Sequence, residues 1–258
     1  MKGMRIALTR PVETSANWSG AIRKGGGYPF HFPLVEIRLL PVDRLVPDQA
    51  FLIIFTSVNA IRALMQDARM LNAIRHIPVV TVGSASCAAA KQAGFYTVHE
   101  AETKRAEGVF SWIEARFLHG RGERIVYPRG NLADDELANR LTAAGYQVVA
   151  PIFYETRALS AEGLLTAARR GRIDVVTFAS GSAVTAFAAG WHTERMRVWL
   201  DGRLQFLSIG PQTSNVMRAC NLRVDEQARA PDSASVVAAL QRLALNKKDE
   251  AYRRHEDD

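Results

Sequence analysis

The stretch Phe51-Leu52-Ile53-Ile54-Phe55-Thr56-Ser57 decides the fold class. A run of consecutive apolar residues without alternation is typical of a strand that is buried on both faces of a parallel sheet. Two hydroxyl residues end the run, and Ala60, Ile61 and Leu64 then recur at helical spacing. A buried strand, a short polar turn and an amphipathic helix in succession predict a βα unit.

The same succession recurs along the chain. Further runs predicted as strands are Arg5 to Leu8, Pro78 to Val82, Arg124 to Tyr127, Asp174 to Phe178 and Gln205 to Ile209. Each is followed by a small or polar residue and then a helical pattern, so the sequence predicts an α/β fold with largely parallel sheets. Pro33 to Val42 and Pro151 to Leu159 alternate in part, which predicts two half-exposed extended strands.

These segments form an internal repeat. Arg5-Ile-Ala-Leu-Thr-Arg10 resembles Arg124-Ile-Val-Tyr-Pro-Arg129, which begins 119 positions later. Further matches follow in the same order, among them Gly27-Tyr28 with Gly145-Tyr146, and Pro33 with Pro151. The distance in sequence between matched residues changes along the chain only by the length of a loop. The sequence therefore predicts a duplicated α/β unit of about 120 residues, a usual domain size, with a cleft between the two domains.

Composition excludes several classes of protein. The 258 residues are 48% hydrophobic and 23% charged, which is ordinary for a globular chain. The longest strongly apolar run falls far short of the roughly 20 residues that span a bilayer, and Arg10 interrupts the N-terminus before a signal-peptide core can form. Cys87 and Cys220 make no disulfide framework, and no His or Cys spacing indicates a metal site. We expect a soluble, cytoplasmic, metal-free protein.

The formal charge of +7 favours anionic partners. The densest interior cluster of cations is Arg169, Arg170 and Arg172, at the end of a helical pattern. Cations at a helix C-terminus complement the helix dipole, and we prefer this interpretation to a nucleic-acid patch.

The predicted βα turns carry similar chemistry in both halves. Ligands of open parallel sheets bind at the carboxyl ends of the strands, where helix N-termini attract anions. A hydroxyl at any one of these turns is explained by helix capping, but capping does not require the same chemistry at nearly every turn. The candidate binding residues are Thr9, Arg10, Thr56, Ser57, Gly83, Ser84, Ser86, Ser180, Gly181, Ser182, Gly210 and Thr213.

Taken together, these segments resemble the uroporphyrinogen-III synthase family. The resemblance covers about 240 residues in the right order. Two departures are Ser86, where members commonly carry Thr, and Ala179, where Thr or Ser is more usual. The pieces that carry the resemblance are Leu8-Thr9-Arg10-Pro11, Phe55-Thr56-Ser57 with Asn59-Ala60, Val82-Gly83, Tyr154-Glu155-Thr156, Phe178-Ala179-Ser180-Gly181-Ser182, Ile209-Gly210-Pro211-Gln212-Thr213 and Ala230-Pro231.

The resemblance implies a cofactor-free lyase of haem biosynthesis. Its substrate would be hydroxymethylbilane, a linear tetrapyrrole polycarboxylate that loses water, inverts its last ring and closes to uroporphyrinogen III. The resemblance also implies that Tyr154 is the catalytic residue and that the turn residues bind substrate. We expect a monomer that needs neither nucleic acid nor membrane.

The resemblance further implies that the chain crosses over between the domains. Residues 1–32 would join 160–245 in one domain, and 43–148 would form the other. Residues 33–42 and 149–159 would be linker strands that pair antiparallel as a hinge, and 246–258 would be a frayed, charged tail.

A second class of function stays open on the sequence. A non-catalytic two-lobed binding protein for a small polyanion would share the duplication and the cleft. Tyr154 distinguishes the two, because a passive binder would not need it. On pattern alone, however, Tyr154 is equally an aromatic residue half-buried on an exposed strand.

Overall fold

A computed structural model of the chain describes residues 1–42, 50–103, 106–117, 120, 122–191 and 202–256. These residues fall into two compact units. The first comprises Met1–Glu36 with Arg157–Asp258, and the second is the continuous segment Ile37–Thr156.

The first unit contains a five-stranded parallel sheet of order β13-β12-β11-β1-β2. Its strands are β1 (Arg5–Leu8), β2 (Tyr28–His31), β11 (Val175–Phe178), β12 (Gln205–Ser208) and β13 (Glu226–Gln227). Its helices are α1 (Ala16–Lys24), α7 (Glu162–Arg169), α8 (Gly181–Trp191), α9 (Pro211–Ala219) and α10 (Ser233–Glu256).

The second unit contains a five-stranded parallel sheet of order β6-β5-β4-β7-β9. Its strands are β4 (Ala50–Phe55), β5 (Val79–Thr81), β6 (Val98–Glu100), β7 (Arg124–Val126) and β9 (Gln147–Val149). Its helices are α2 (Val58–Leu64), α3 (Ala68–Ile74), α4 (Gly83–Gln92), α5 (Ala106–Glu114) and α6 (Glu136–Ala143).

The apolar runs are strands buried on both faces, as predicted. In β4, Leu52 and Ile54 pack into one hydrophobic cluster, whereas Ile53 and Phe55 pack into another. Successive side chains of a strand point to opposite faces, so a sheet covered on both sides needs an unbroken apolar run. All six predicted runs form strands, within one residue at either end.

The strand orders confirm the duplication. Each five-stranded sheet combines two strands from the first part of one sequence repeat with the last three strands of the other, and β8, between β7 and β9, joins another sheet. The order is the same in both sheets, because β13-β12-β11-β1-β2 corresponds to β6-β5-β4-β7-β9 strand by strand. The structural unit is therefore not the sequence repeat.

A third, three-stranded sheet has the order β3-β10-β8, with β3 (Val35–Leu39), β10 (Ile152–Ala158) and β8 (Arg129–Gly130). The Leu40 amide donates to the Phe153 carbonyl at 2.8 Å, and the Leu159 amide donates to the Leu34 carbonyl at 2.9 Å. Between these two hydrogen bonds the residue numbers rise along β3 and fall along β10. The two strands are therefore antiparallel, as predicted. The predicted two-stranded arrangement is incomplete, since β8 adds to β10 in parallel.

The C-terminal segment is helical, and one predicted domain boundary lies outside the described residues. The predicted tail is wrong in its conformation: α10 continues to Glu256, through residue types that mostly favour helices. The predicted start of the second domain at residue 43 lies outside the described residues, so the exact domain limits stay a prediction.

Candidate active site

The second unit presents two helix N-termini at the carboxyl edge of its sheet. After β4, the Ser57 hydroxyl caps α2 by accepting a hydrogen bond from the Asn59 amide at 3.1 Å. After β5, α4 begins at Gly83, and the residue before it provides no side-chain cap. Because β4 and β5 are neighbours, their turns lie side by side. An uncapped first turn presents backbone amides that favour an anion.

Gly83 and Ser86 have structural reasons for their identity. Gly83 has a φ of +76°, a left-handed conformation that favours glycine. Ser84 is exposed at the start of α4, whereas Ser86 is only 4% exposed. The Ser86 side chain is thus directed away from solvent and does not present a hydroxyl to a ligand at this edge.

The Tyr154 ring lies against Gly130. The two residues are direct neighbours in the β10–β8 pairing. A Cβ atom added to Gly130 would lie 2.5 Å from Cζ of the Tyr154 ring, closer than real Cβ contacts occur. Glycine at position 130 is therefore required for the position of Tyr154, which is partly buried against the core of the second unit.

Asn131 extends the pairing beside Tyr154. Its backbone amide donates to the Tyr154 carbonyl at 3.2 Å. Its side-chain oxygen accepts from the Thr156 amide at 2.8 Å, and its side-chain nitrogen donates to the Thr156 carbonyl at 3.4 Å. The Asn131 carboxamide thus pairs with β10 as a strand residue would, and it holds β10 extended on the C-terminal side of Tyr154.

Tyr127 and Arg129 are site residues that sequence analysis did not select. The Tyr127 hydroxyl lies 3.3 Å from Oγ1 of Thr56. Burial raises the pKa of Tyr127, which stays protonated at neutral pH, and the nearby Arg129 and Tyr154 also influence it. The Arg129 guanidinium binds the Asp134 carbonyl at 2.8 Å and the Asp135 carboxylate at 2.6 Å. Both residues follow β7. The repeat pairs Arg129 with Arg10, a signal that could have identified it, whereas Tyr127 is paired with the apolar Leu8 and had no such signal.

In the first unit, the sheet buries Thr9 and leaves Arg10 partly accessible. The Thr9 hydroxyl donates to the Thr177 carbonyl at 2.7 Å and is fully buried, so its side chain serves the sheet rather than a ligand. The Arg10 guanidinium stacks on Trp18 at 4.6 Å and donates to Thr14 at 3.1 Å. No carboxylate pairs with Arg10 within the described part of the chain. Burial lowers its pKa, as expected for a partly desolvated cation without a counter-charge.

The first unit repeats the pair of helix N-termini seen in the second. Ser180 occupies the position of Ser57, and its hydroxyl accepts from the Ala183 amide at 3.3 Å and lies 3.0 Å from the Ser182 hydroxyl. Gly181 allows a close approach to Val216, because an added Cβ would lie 2.9 Å from that side chain.

The second helix N-terminus of the first unit follows Gly210. Like Val82 before α4, Gly210 provides no side-chain cap to the helix that follows it. Open space lies around the position of its absent Cβ. Thr213 is 5% exposed and faces inward, so the backbone of this turn is more accessible than its hydroxyl.

The predicted residues are thus divided between the units. Thr9, Arg10, Ser180, Gly181, Ser182, Gly210 and Thr213 belong to the first, and Thr56, Ser57, Gly83, Ser84, Ser86 and Tyr154 belong to the second. Each unit offers a serine-capped helix, a helix that begins without a side-chain cap and an arginine at the carboxyl edge. No cluster of three potential metal-ligating side chains occurs among the described residues. No helix in the described part of the chain is long and apolar enough to cross a membrane.

Known proteins share this architecture. The sequence matches the family described as Uroporphyrinogen-III synthase HemD over residues 16–238. A curated relative, the porphyrin biosynthesis protein HemD of Ruminiclostridium josui, is 23% identical over 236 residues, which are 86% of this chain and 45% of that protein. The chain therefore spans about half the length of that curated relative.

Two solved structures show the same fold. A mutant uroporphyrinogen III synthase of the extremely thermophilic bacterium Thermus thermophilus matches with a TM-score of 0.67 and 20% identity, over 95% of this chain and 100% of that one. The uroporphyrinogen-III synthetase of Helicobacter pylori matches with a TM-score of 0.64 and 17% identity, over 95% of this chain and 99% of that one. At these identities the structures establish the fold alone. The family match covers most of the chain, and this protein therefore belongs to the uroporphyrinogen-III synthase family, a family of enzymes of porphyrin biosynthesis.

Proposed function

We propose that this chain converts hydroxymethylbilane to uroporphyrinogen III, with loss of water and inversion of the last pyrrole ring. The observation that carries the proposal is the family match over residues 16–238. The carboxyl edges of the two sheets supply the groups that such a reaction needs, and the reaction requires no cofactor.

Backbone amides bind the carboxylates of the substrate in this proposal. The α4 and α9 N-termini lack side-chain caps. Gly83 at the start of α4 is buried, whereas open space lies beside Gly210 before α9. The hydroxyls of Ser57 and Ser180 already accept hydrogen bonds from their own helices, so they serve a ligand only as donors. Arg10 adds a charge-assisted contact, since it lacks a carboxylate partner among the described residues.

Tyr154 donates a hydrogen bond to the departing hydroxyl in this mechanism. As the C–O bond breaks, the hydroxyl takes the phenolic proton and leaves as water, and an azafulvene cation remains. The substituted carbon of the last pyrrole ring attacks this cation and gives a spiro intermediate. The bond that held that ring to the chain then breaks and forms again at the ring's free α-carbon, which closes the macrocycle, and the proton lost from that carbon restores the phenol. A phenol carries an O–H group that can donate, whereas an ionised carboxylate can only accept. Because the substrate also closes unaided to the other isomer, the protein contributes mainly orientation.

The test is the isomer distribution of the product. Freshly prepared hydroxymethylbilane is incubated with the full chain or with buffer, and the ratio of isomer III to isomer I is measured after oxidation to porphyrins. We expect isomer III with the protein and isomer I with buffer. A passive two-lobed binding protein would protect the substrate or leave isomer I dominant, and that result would overturn the proposal.

We further propose that the chain acts as a cytoplasmic monomer, without nucleic acid or membrane. Light scattering of the purified chain during turnover checks the oligomeric state. A specific activity that rises with protein concentration would contradict it.

A further inference from the structure

The excess positive charge of the first unit lies at the amino ends of its strands. We call this region the amino edge, and its arginines stand at or before the starts of β1, β11, β12 and β13. The described carboxylates beside them are Asp174, Asp225 and Glu226, and ion pairs join Arg5 to Asp174 and Arg223 to Asp225. The arginines are Arg5, Arg169, Arg170, Arg172, Arg203 and Arg223.

The opposite edge of the same sheet is balanced in charge. Its described turns carry Arg10 with Glu13 after β1, and Arg229 with Asp232 after β13. Substrate binding at the carboxyl edge therefore does not account for the excess of cations. Among the described residues, six arginines against three carboxylates leave the amino edge positively charged.

A cavity of about 150 Å³ opens at the amino edge. Its apolar lining comes mainly from Ala168, Ile173 and Leu204. Its charged lining comprises the guanidinium groups of Arg5, Arg169 and Arg203 and the carboxylate of Asp174. Three cations and one anion leave two net positive charges around a space that holds several water molecules.

The geometry of the lining is set by the sheet. Arg5 is the first residue of β1, and its Nε and Nη2 atoms donate to the Asp174 carboxylate at 3.0 and 2.8 Å. The Arg5 backbone amide donates to the same carboxylate at 2.8 Å. These three hydrogen bonds fix the position of the Arg5 side chain and compensate much of the negative charge of Asp174. Behind the lining, Arg223 reaches the Leu204 carbonyl at 3.1 Å and pairs with the Asp225 carboxylate at 3.3 Å.

We propose that this cavity is a binding site for a small, multiply charged oxyanion of the phosphate class. Guanidinium groups present paired N–H donors that match the oxygens of such an ion. The cavity has room for one or two phosphate groups but not for a folded polymer. A free phosphate, or the phosphate group of a small molecule, therefore fits better than a nucleic-acid backbone.

The test is a titration of the full chain at low ionic strength. Inorganic phosphate and pyrophosphate are added in calorimetry, with sodium chloride of equal ionic strength as reference. We expect saturable binding of one ion per chain, tighter for pyrophosphate and weakened by salt. Arg169→Ala should weaken binding about 10-fold, the loss of one charge-assisted hydrogen bond, and Arg169→Lys should weaken it less.

Arg218→Ala is the matched control. It removes the same charge from α9 at an exposed position outside the cavity lining, where Arg218 contacts Asn215 at 3.2 Å. Binding should change less than twofold in this variant. An equal loss in Arg169→Ala and Arg218→Ala, or non-saturable binding, would overturn the proposal. Binding of a single-stranded RNA oligonucleotide without binding of phosphate would overturn it as well.

The isomer assay separates this inference from the proposed function. Arg169 lies at the amino edge, away from the βα turns, so Arg169→Ala should form isomer III at the normal rate in the absence of phosphate. Formation of isomer III without phosphate binding would contradict only the phosphate site. Phosphate binding without formation of isomer III would contradict only the proposed function.

Discussion

At the scale of single residues, Tyr154 depends on the shape of its neighbours. Gly130 leaves the space that the ring fills, and Asn131 holds the backbone from Tyr154 to Thr156. Tyr127 and Thr56 form a hydrogen-bonded pair in the same unit. The position of the phenol is therefore built into the β8–β10 pairing, and two substitutions test separately what the phenol does and what holds it.

Tyr154→Phe removes the hydroxyl and keeps the ring. General-acid assistance is worth about 10²- to 10⁴-fold in rate. Because this substrate loses water readily, we expect a loss at or below the low end of that range, with the product shifted towards isomer I. The measurements are the initial rate and the isomer ratio, with Tyr28→Phe at an exposed strand edge as control. A full rate and a full yield of isomer III in a folded variant would show that the phenol only packs.

Gly130→Ala forces the Tyr154 ring to move, because the new methyl group would overlap it. Overpacking of this kind costs about 1–3 kcal/mol of unfolding free energy. We expect a lower kcat and less isomer III, with a smaller change in KM. Gly163→Ala on α7 is the control, since open space surrounds that position, and it should add up to about 1 kcal/mol of stability. Unchanged isomer selectivity in Gly130→Ala would contradict the proposed dependence of Tyr154 on Gly130.

At the scale of the elements, helix ends and strand ends carry most of the candidate site. Ser57 and Ser180 satisfy the N-termini of α2 and α8, whereas α4 and α9 begin at glycine turns without side-chain caps. At the edge of the first sheet, β13 is joined to α10 by an ion pair between Glu226 and Arg242. These two kinds of contact lead to different expectations.

Ser57→Ala should affect stability more than chemistry. Loss of the cap on α2 costs about 0.5–2 kcal/mol, measured by urea unfolding. If amides carry substrate binding, isomer III should still be formed with at most a modest loss of rate. Ser111→Ala, at an exposed position on α5 outside the candidate site, should lower neither property. Complete loss of isomer III in a folded Ser57→Ala variant would count against amide-dominated binding.

The Glu226–Arg242 pair should make stability depend on acid pH. The hydrogen bond from Arg242 lowers the pKa of Glu226 below its ordinary value of 4.5, and the Gln227 amide contributes in the same direction. The unfolded chain then binds the proton more readily, so the contribution is present above about pH 4.5 and is lost as pH falls through the folded-state pKa. Tm measured from pH 3 to 7 should fall more steeply at the acid end for the wild type than for Glu226→Gln. Glu13→Gln removes a charge at an exposed position and is the control; parallel curves for wild type and Glu226→Gln would refute this expectation.

At the scale of the whole molecule, the duplication and the folding units do not coincide. Each five-stranded sheet takes strands from both sequence repeats. The second unit is nevertheless continuous in sequence, whereas the first is assembled from both ends of the chain. The continuous unit should therefore be able to fold without the rest.

A fragment of residues 37–156 should unfold cooperatively in urea, with helical and strand signals in circular dichroism. A fragment of residues 1–120, which corresponds to one sequence repeat, should not, because it lacks β7 and β9 of one sheet and β11 to β13 of the other. Both fragments are of the same length, so size does not separate them. Cooperative unfolding of 1–120 alone would show that the repeat is the folding unit.

The sequence alone determined the parts of this protein that depend on local pattern. A strand buried on both faces needs a continuous apolar run, and such runs at β1, β4, β5, β7, β11 and β12 revealed the βα units and the duplication. The edge strands β2, β6, β9 and β13 escaped prediction because they are short or largely exposed and need no such run. The serine and glycine turns were predictable because each occupies a fixed place between a strand and a helix.

Only the tertiary structure decided which of these residues face outward and which distant residues meet. It buried Thr9, Ser86 and Thr213, which sequence analysis had treated as equal to Ser57 and Ser180. It placed Gly130 under Tyr154, a contact between positions far apart along the chain that depends on strand register. It also gathered arginines from separate segments at the amino edge, away from the predicted binding turns. Such neighbourhoods arise because parallel strands align all their amino ends at one edge of a sheet, whatever the distance between them along the chain.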